Sequence, residues 1–365
     1  MRYNSSYSIL WTAFIASIIF IGNLGYTFNE VFAQYPKDSY THEDNAYPHP
    51  SYPVLHKIIL GVKEIPLIGG NLYAYEMIKH ELYSIDNPSK LINDITDRYT
   101  SGPTIPGPSI IIEEGDIVSL TLENPKVGGA PGMVSVHVHG IHYPITSDGT
   151  LVDVNKIGDQ GVEPDNSITY SWTAGPGTAG TWPYHDHTLG LNAEGKDPNG
   201  LEMSGLFGTL IIDSSKGYTT ALIDDEPKIV NLNEISKDVI CWVTDDAFWC
   251  DEIINSQAYE HVALWENPTI KAKNGELIRF HLYSIGTDFT KFELTGYEWL
   301  KPGTEQIVKS QTFGPLESIV FTIEANDGNA EYRDIIRSHF KSGMFGQFIV
   351  DSSGISIPGD NPLTL

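Results

Sequence analysis

Basic residues are scarce in this chain of 365 residues. Lys and Arg number 22 against 47 Asp and Glu, which gives a formal charge of −25 at pH 7. A field of this sign repels nucleic acid and anionic lipid headgroups, so nucleic acid is excluded as a partner. The same charge favours metal ions and other cations, or simply keeps a secreted protein soluble.

Cysteine is almost absent, with only Cys241 and Cys250 in the chain. In an oxidising compartment, two cysteines this close in sequence can form a disulfide. Two thiolate metal ligands are the alternative. No histidine lies between the two cysteines, which favours the disulfide.

The chain also lacks a hydrophobic run of comfortable membrane-spanning length at its start. Arg2 precedes an apolar run from Ile9 to Ile21, which is short for a membrane span and typical of a signal peptide. Small residues at Val31 and Ala33 favour cleavage before Gln34, whereas the long spacer after the apolar run leaves an uncleaved membrane anchor as the alternative. Either way, we expect an extracytoplasmic protein, either secreted, in a periplasm-like space, or anchored facing outside.

The chain contains an internal repeat. The segment Pro108–Asp116 recurs as Pro268–Glu276, and the segment Ser204–Asp213 recurs as Ser342–Asp351. Short alternating strands, broken at regular spacing by some of the 34 Gly and 22 Pro, predict Greek-key β-sandwiches. We therefore predict an all-β chain of two related domains.

The predicted organisation has five parts. A signal peptide or anchor (1–33) precedes an extended N-terminal arm (34–65), in which His42, His49 and His56 are predicted to be surface residues. The two β-domains follow, domain 1 at 66–215 and domain 2 at 225–353, with a polar linker between them and a tail at 354–365.

Domain 1 carries two pairs of histidines at strand spacing. His137 and His139 end one strand-like stretch, and His185 and His187 end another. Residues i and i+2 of a strand point to the same face, so each pair can direct both imidazoles at one metal site. Four imidazoles suit copper or zinc.

The sequence around these pairs resembles a known family. Five segments occur in order: Ile105-Pro-Gly-Pro-Ser-Ile110, Glu114-Gly-Asp116, Val134-Ser-Val-His-Val-His-Gly140, Thr146-Ser-Asp-Gly-Thr150 and Gly180-Thr-Trp-Pro-Tyr-His-Asp-His187. They resemble the first domain of two-domain multicopper oxidases, the small laccases. The resemblance implies two tandem cupredoxin-like (plastocyanin-like) domains, copper as cofactor, and a homotrimer with a trinuclear copper cluster between domain 1 of one subunit and domain 2 of the next.

The resemblance also implies roles for single residues. His137, His139, His185 and His187 would be the four copper ligands of domain 1. Tyr143 and Asp148 match a tyrosine and a carboxylate near the cluster. His142 has no counterpart in the pattern, and we leave it open as a further ligand, a donor to a ligand or a surface residue.

Domain 2 departs from the family at its copper ligands. The family motif H-x-F-H-L-H-G aligns with Thr290–Gly296, where Thr290, Glu293 and Thr295 replace the histidines. The H-C-H motif aligns with Arg333, Asp334 and Ile335, so a type-1 (blue) site would retain only His339 and Met344 and would lack its thiolate. Domain 1 cannot supply that site, because Asp186 and Leu206 stand where its cysteine and methionine would be. Glu293 stays a weaker metal-ligand candidate or a solvated charge.

Three functions remain open from the sequence. The first is a copper protein whose domain 1 half-site performs modified redox chemistry. The second is a non-catalytic structural or binding subunit, which forms a hetero-oligomer with a full-ligand cupredoxin. The third is an ordinary laccase-type oxidase that reduces oxygen, which the missing ligands disfavour.

Overall fold

The computed structural model describes residues 53–67, 70–99, 101–150, 160–188, 204–254 and 260–351. The predicted signal peptide or anchor, the arm up to residue 52 with His42 and His49, and the tail lie outside these ranges. Within them, no helix is long and apolar enough to cross a membrane.

Domain 1 is built from two β-sheets. The larger sheet has the order β3-β2-β1-β6-β8, with β4 paired to β2, and the smaller has the order β5-β10-β9-β7. Its strands are β1 (Val54–Leu67), β2 (Gly70–Ser84), β3 (Leu91–Asp94), β4 (Pro103–Thr104), β5 (Ile110–Glu113), β6 (Ile117–Asn124), β7 (His137–Val138), β8 (Asn166–Thr173), β9 (Gly180–His185) and β10 (Phe207–Asp213).

Domain 2 has the same two layers, with sheet orders β12-β11-β22-β17-β13-β14-β15 and β16-β24-β23-β18-β21, and β19 pairs with β20. The elements are β11 (Tyr218–Ile223), β12 (Glu226–Asn231), β13 (Ile235–Val243), β14 (Phe248–Ile254), β15 (Glu260–Glu266), β16 (Ile270–Lys273), β17 (Leu277–Ser284), β18 (Thr290–Leu294), β19 (Trp299–Leu300), β20 (Ile307–Val308), β21 (Ser310–Phe313), β22 (Ser318–Glu324), β23 (Gly328–Asp334), α1 (Arg337–Ser342) and β24 (Phe345–Asp351).

The two domains share one pairing scheme, as the sequence repeat requires. β1 runs parallel to β6 as β13 does to β17, and β10 runs parallel to β5 as β24 does to β16. The hydroxyl of Tyr184 donates to the carbonyl of Pro108 at 2.6 Å, and the hydroxyl of Tyr332 donates to the carbonyl of Pro268 at the same distance. The all-β prediction of two related sandwiches is confirmed.

Alternation of apolar residues explains how the strands form these layers. Along β6 every second side chain is buried, including Val118, Leu120 and Leu122. Period-2 burial places one face of a sheet in the core and the other toward solvent. The domain 2 core is rich in aromatic rings, among them Trp299 stacked on Phe321 with ring centres 4.4 Å apart.

Two segments are more ordered than the sequence suggests. Residues 54–65 of the predicted arm belong to β1, which pairs with β2 and β6 inside the domain 1 sheet. His56 is consequently 1% exposed, so the prediction of a surface residue is wrong. The predicted linker contains β11, which pairs with β12 and joins the domain 2 sheet beside β22.

A buried ionic network joins the two domains. Arg279 of β17 donates from Nη1 to Asp213 of domain 1 at 2.6 Å and from Nε to Asp238 of β13 at 2.5 Å. Nε2 of His281 donates to Asp238 at 2.8 Å, and its Nδ1 contacts the Thr181 hydroxyl of β9. Apolar residues of both domains pack at the same interface, including Ile211, Trp242 and Tyr283.

Cys241 and Cys250 lie opposite each other on β13 and β14 and form a disulfide with an S–S distance of 2.05 Å. Both residues are buried in domain 2. With its two sulfurs bonded to each other, this pair provides no thiolate for a blue copper site.

Candidate metal centre

The histidine cluster lies where β7 and β9 pair at the edge of the smaller domain 1 sheet. His137 and His185 are directly opposite each other in this antiparallel pair. One ligand nitrogen from each of His137, His139 and His185 lies within 4.8 Å of the other two. The described residues therefore bring three of the four predicted ligands to one point.

His187 lies beside this group rather than inside it. Its ring centre is 5.2 Å from that of His137 and 5.6 Å from that of His185. Its Nδ1 is buried and has no hydrogen-bond partner in the described structure. A buried polar nitrogen without a partner is costly unless it binds something, so it fits a metal ligand.

Backbone carbonyls orient two of the imidazoles. Nδ1 of His137 donates to the carbonyl of Asp148 at 2.6 Å, and Nδ1 of His185 donates to the carbonyl of Asp186 at 3.0 Å. A hydrogen bond at Nδ1 selects the tautomer in which Nε2 carries the lone pair. Nε2 of His185 lies 3.2 Å from Nε2 of His139, so both nitrogens point to the same place.

Asp186, between the two histidines of the second pair, holds the site together. It is fully buried; its Oδ1 accepts from the backbone N–H of Ser135 at 2.7 Å, and its Oδ2 accepts from the Thr188 hydroxyl at 2.8 Å. The Ser135 hydroxyl in turn accepts from the N–H of His187 at 3.0 Å. This network ties the end of β9 to the segment that precedes His137.

Burial favours the neutral form of two of the imidazoles, those of His139 and His137. It lowers the pKa of His139 to about 3, with the charges of His137 and His185 acting in the same direction. Burial also lowers the pKa of His137, against the raising effect of its bond to Asp148. A neutral imidazole is the form that binds a metal ion, so these two side chains are in their ligand state at neutral pH.

Tyr143 and Asp148 flank the cluster as the resemblance implies. The Tyr143 ring centre is 6.2 Å from that of His137, and Oδ1 of Asp148 is 3.3 Å from Nδ1 of His137. Burial raises the pKa of Tyr143 to about 12, helped by its hydrogen bond to Asp148. Tyr143 therefore keeps its proton at neutral pH.

His142 lies away from the cluster. Its side chain is exposed, its backbone pairs with Thr173 of β8, and its ring lies against Gly175. Among the described residues, it is not part of the group of nitrogens that could share a metal ion.

Gly140 lies in the turn after His139, in a backbone conformation and a space that favour glycine. Its φ is +66°, and a Cβ there would overlap the indole of Trp182. We expect Gly140→Ala to lower the free energy of unfolding by about 2–4 kcal/mol, from backbone strain and overpacking together. Urea denaturation measures this loss in the free energy of unfolding. Gly128→Ala is the control, because its φ is +74° but the space around it is open, so about 1 kcal/mol is expected. Equal losses in both variants would show that the Trp182 contact does not matter.

In domain 2 an ion pair occupies the corresponding position. Glu293 of β18 lies opposite Arg333 of β23, as His137 lies opposite His185. Nε and Nη2 of Arg333 both lie 2.7 Å from Oε2 of Glu293, and Nη1 contacts Glu331 at 3.0 Å. Within its own chain, Glu293 is held by a guanidinium rather than directed at the histidine cluster.

The position of the blue site in domain 2 is filled by a structural carboxylate. Asp334 is fully buried, and its Oδ1 accepts from the backbone N–H groups of Lys291 at 3.2 Å and Ile336 at 2.8 Å. Its Oδ2 accepts from Nδ1 of His339 at 2.7 Å. Met344 is fully buried in the apolar core of domain 2. This set, without a thiolate, does not fit a type-1 copper ion.

Comparison with known proteins confirms the resemblance. Residues 95–217 match the family model described as multicopper oxidase, and all four histidines lie within that match. The chain is similar to a probable nitrite reductase-hydroxylamine oxidoreductase fusion protein of Kuenenia stuttgartiensis, with 27% identity over 68% of this chain and 28% of that protein. It is also similar to copper resistance protein A of Escherichia coli, with 34% identity over 30% of this chain and 15% of that protein. The chain thus spans less than a third of either relative.

Solved structures share the fold. A copper nitrite reductase from Nitrosomonas europaea covers 82% of this chain, and the match covers 95% of that chain, with a TM-score of 0.51 and 16% identity. A multicopper oxidase structure covers 84% of this chain, with 92% of its own chain matched, a TM-score of 0.50 and 19% identity. At this identity the likeness shows the fold alone, and it confirms the two-domain cupredoxin-like architecture. The names of both proteins specify copper as their metal.

Proposed function

We propose that this chain is an exported copper-binding protein on a two-domain multicopper oxidase scaffold, with a four-histidine half-site in domain 1 and no type-1 copper site. The observation that carries the proposal is the convergence of nitrogens from His137, His139 and His185 within 4.8 Å of one another. His187 completes the set, because its buried Nδ1 has no hydrogen-bond partner among the described residues. A set of imidazole ligands suits copper.

The residues around the half-site have distinct tasks in this proposal. The carbonyls of Asp148 and Asp186 fix the tautomers of His137 and His185, so that Nε2 of each is directed at the metal. Tyr143 and Asp148 form a hydrogen-bonded pair beside His137 that can hold a proton next to the site. Copper bound there would supply one-electron redox chemistry, the modified activity that we assign to the chain.

The small-laccase resemblance makes a homotrimer the first candidate assembly. In such a trimer, domain 2 of the next subunit would face the half-site. This chain would then contribute the Glu293–Arg333 ion pair in place of further imidazoles. The half-site would keep four protein nitrogens and gain no ligand across the interface.

A non-catalytic subunit is the second candidate function. The ion pair at Glu293 and Arg333 favours it, because a cationic guanidinium beside a copper cluster opposes metal binding. A partner cupredoxin with all its ligands would complete the domain 1 half-site instead. Laccase-type oxidation of a substrate by this chain alone is disfavoured, since no thiolate is present at Asp334.

Metal analysis of variants tests the proposed site. After copper loading and dialysis, the His137→Ala/His187→Ala variant is expected to lose the copper that the wild-type chain retains. His142→Ala is the matched control and should retain all of it, because the exposed His142 lies outside the cluster. Full copper retention in the double variant would refute the half-site. A wild-type chain that binds no copper alone, but copurifies with a second cupredoxin, would establish the non-catalytic subunit.

A further inference from the structure

Four polar side chains in the larger domain 1 sheet form one continuous hydrogen-bonded chain. Asp116 precedes β6, His56 lies on β1, His80 lies on β2, and Tyr99 follows a short 3-10 helix at Thr96–Arg98. Oδ2 of Asp116 is 3.0 Å from Nε2 of His56, whose Nδ1 is 2.8 Å from Nε2 of His80. Nδ1 of His80 is 2.8 Å from the Tyr99 hydroxyl.

The direction of these hydrogen bonds follows from the carboxylate. Oδ1 of Asp116 accepts from the N–H of Val54, and Oδ2 accepts from the N–H of Glu113, both at 2.8 Å. An ionised carboxylate only accepts, so His56 donates from Nε2, and in its neutral form it accepts at Nδ1. His80 then donates from Nε2 and accepts from the Tyr99 hydroxyl at Nδ1. Every bond in the chain points from Tyr99 toward Asp116.

This network is buried. Asp116 and His80 are fully buried, His56 is 1% exposed, and Tyr99 is half-buried, with its ring stacked on His80 at 5.5 Å between centres. Other buried tyrosines of domain 1 are paired differently. Tyr75, Tyr170 and Tyr184 donate to backbone carbonyls, which do not accept a proton.

We propose that Tyr99 is a redox-active tyrosine, oxidised by a strong one-electron oxidant while its proton moves along this relay. The oxidant takes one electron from Tyr99. The phenol proton moves to Nδ1 of His80, the Nε2 proton of His80 moves to Nδ1 of His56, and the Nε2 proton of His56 moves to Oδ2 of Asp116. The products are a neutral tyrosyl radical, two neutral imidazoles, a carboxylic acid and the one-electron-reduced oxidant.

The charges of the products explain why proton transfer needs all four groups. Burial strongly disfavours a charged imidazole, and it holds the pKa of His80 well below its usual range. Each imidazole gives one proton and takes one, so neither becomes charged. The only change of charge is the neutralisation of Asp116, which removes a buried negative charge. Oxidation at a tyrosine bonded to a carbonyl would leave the proton without an acceptor.

Tyr99 is also placed for electron transfer within domain 1. It packs against the domain 1 core and lies close enough to Tyr184 to affect its ionisation. Tyr184 is 5.5 Å from Tyr75 between ring centres and directly precedes His185. These rings offer an aromatic path between Tyr99 and the histidine cluster. The relay itself does not rest on copper binding.

Flash oxidation of the full chain without copper tests the proposal. A ruthenium(III) polypyridyl complex, generated by light with persulfate, is the oxidant, and the tyrosyl radical is followed by transient absorption and electron paramagnetic resonance. Tyr99→Phe should lower the yield of the radical, while Tyr143 and Tyr83, whose hydroxyls are also hydrogen-bonded to carboxylates, can still be oxidised. Tyr297→Phe is the matched control and should leave the yield unchanged, since the Tyr297 hydroxyl bonds the carbonyl of Asn326.

The relay is tested separately by His80→Asn, which preserves a polar atom near Nδ1 but cannot pass a proton on. We expect the rate of Tyr99 oxidation to fall by about 100-fold, the scale of a positioned proton acceptor. An unchanged rate would overturn the relay, and an unchanged radical in Tyr99→Phe would overturn the assignment to Tyr99. The wild-type chain gives a readout that needs no variant: oxidation should slow in heavy water, and equal rates in both solvents would contradict coupled proton transfer.

Discussion

Replacing Arg279 with Met is expected to lower the free energy of unfolding by about 3–5 kcal/mol, because removal of one partner leaves buried charges uncompensated. Arg279 is 8% exposed and binds two carboxylates, Asp213 and Asp238. It holds the pKa of Asp238 far below its usual range, against the raising effect of burial. Met keeps much of the apolar stem but leaves both acids without their shared cation. Urea denaturation followed by tryptophan fluorescence gives the difference.

Two further variants make this test specific. Arg333→Met removes a partly exposed arginine that also binds two carboxylates, and less than about 1 kcal/mol is expected, because surface ion pairs contribute little. Adding Asp238→Asn to Arg279→Met should restore part of the stability, since it removes one of the stranded charges. A loss at Arg279 no larger than that at Arg333 would contradict the interdomain network.

Acid is expected to destabilise the copper-free protein well above the range in which carboxylates titrate. The pKa values of His80, His137, His139 and His281 are lowered in the folded state, mainly by burial. Below about pH 6.5 the histidines of the unfolded chain bind protons, whereas the buried histidines of the folded chain do not. The free energy of unfolding therefore decreases as the pH is lowered. For a fully buried histidine this is about 1.4 kcal/mol per pH unit, so His80 and His281 dominate, and we expect about 3 kcal/mol per unit in total after allowing for the partial exposure of the other two and for coupling.

Asp238 contributes in a different pH window. Its lowered pKa adds stability that is complete above the unfolded value of about 3.9 and is lost only as pH falls further. The change in the free energy of unfolding between about pH 6.5 and pH 4.5 is therefore caused by the histidines. Urea midpoints across this range should show a smaller slope in His139→Gln and an unchanged slope in His142→Gln, whose ring is exposed. A flat profile for the wild-type chain would contradict neutral buried imidazoles.

The histidine cluster could be predicted because its signal is local. Two histidines at i and i+2 share a strand face, so His137 with His139, and His185 with His187, were each placed together by spacing alone. The structure adds that β7 and β9 are direct neighbours, which brings the pairs together. The internal repeat likewise located Glu293 and Arg333 at the lost ligand positions. Glu293 and Arg333 lie opposite each other because β18 and β23 pair in the same register as β7 and β9. Their ion pair could therefore be predicted by assuming that the His137–His185 pairing of domain 1 recurs in domain 2.

The remaining features depend on contacts between distant parts of the chain. His56 looked like a surface residue of an arm, but its partners His80 and Asp116 are 24 and 60 residues away in sequence. Arg279 meets Asp213 across the domain interface, 66 residues away. The spacing of neither pair carries a recognisable pattern, because strand order in a Greek-key sandwich does not follow chain order. Likewise, His142 adjoins Tyr143 in sequence, yet the Thr173 pairing places it outside the cluster.

The two domains share a buried carboxylate at the same position but differ in the histidines around it. Asp186 and Asp334 occupy equivalent buried positions, and each accepts the backbone N–H of the neighbouring strand, from Ser135 in one domain and Lys291 in the other. This bond stabilises the fold in both domains. Among the described residues, a cluster of imidazoles accompanies it only in domain 1, whereas in domain 2 the single imidazole of His339 donates to Asp334. The described part of domain 2 therefore preserves a cupredoxin-like architecture without a cluster of ligand nitrogens like that of domain 1.

Copper content per chain, measured together with the electron paramagnetic resonance spectrum of the copper-loaded protein, tests the central claim most directly. We expect about one copper or more per chain, held by nitrogen ligands, with no intense blue absorption. Copper-free protein after loading would contradict the half-site in domain 1. An intense blue absorption, with the narrow copper hyperfine splitting of a thiolate-bound ion, would contradict the absence of a type-1 site.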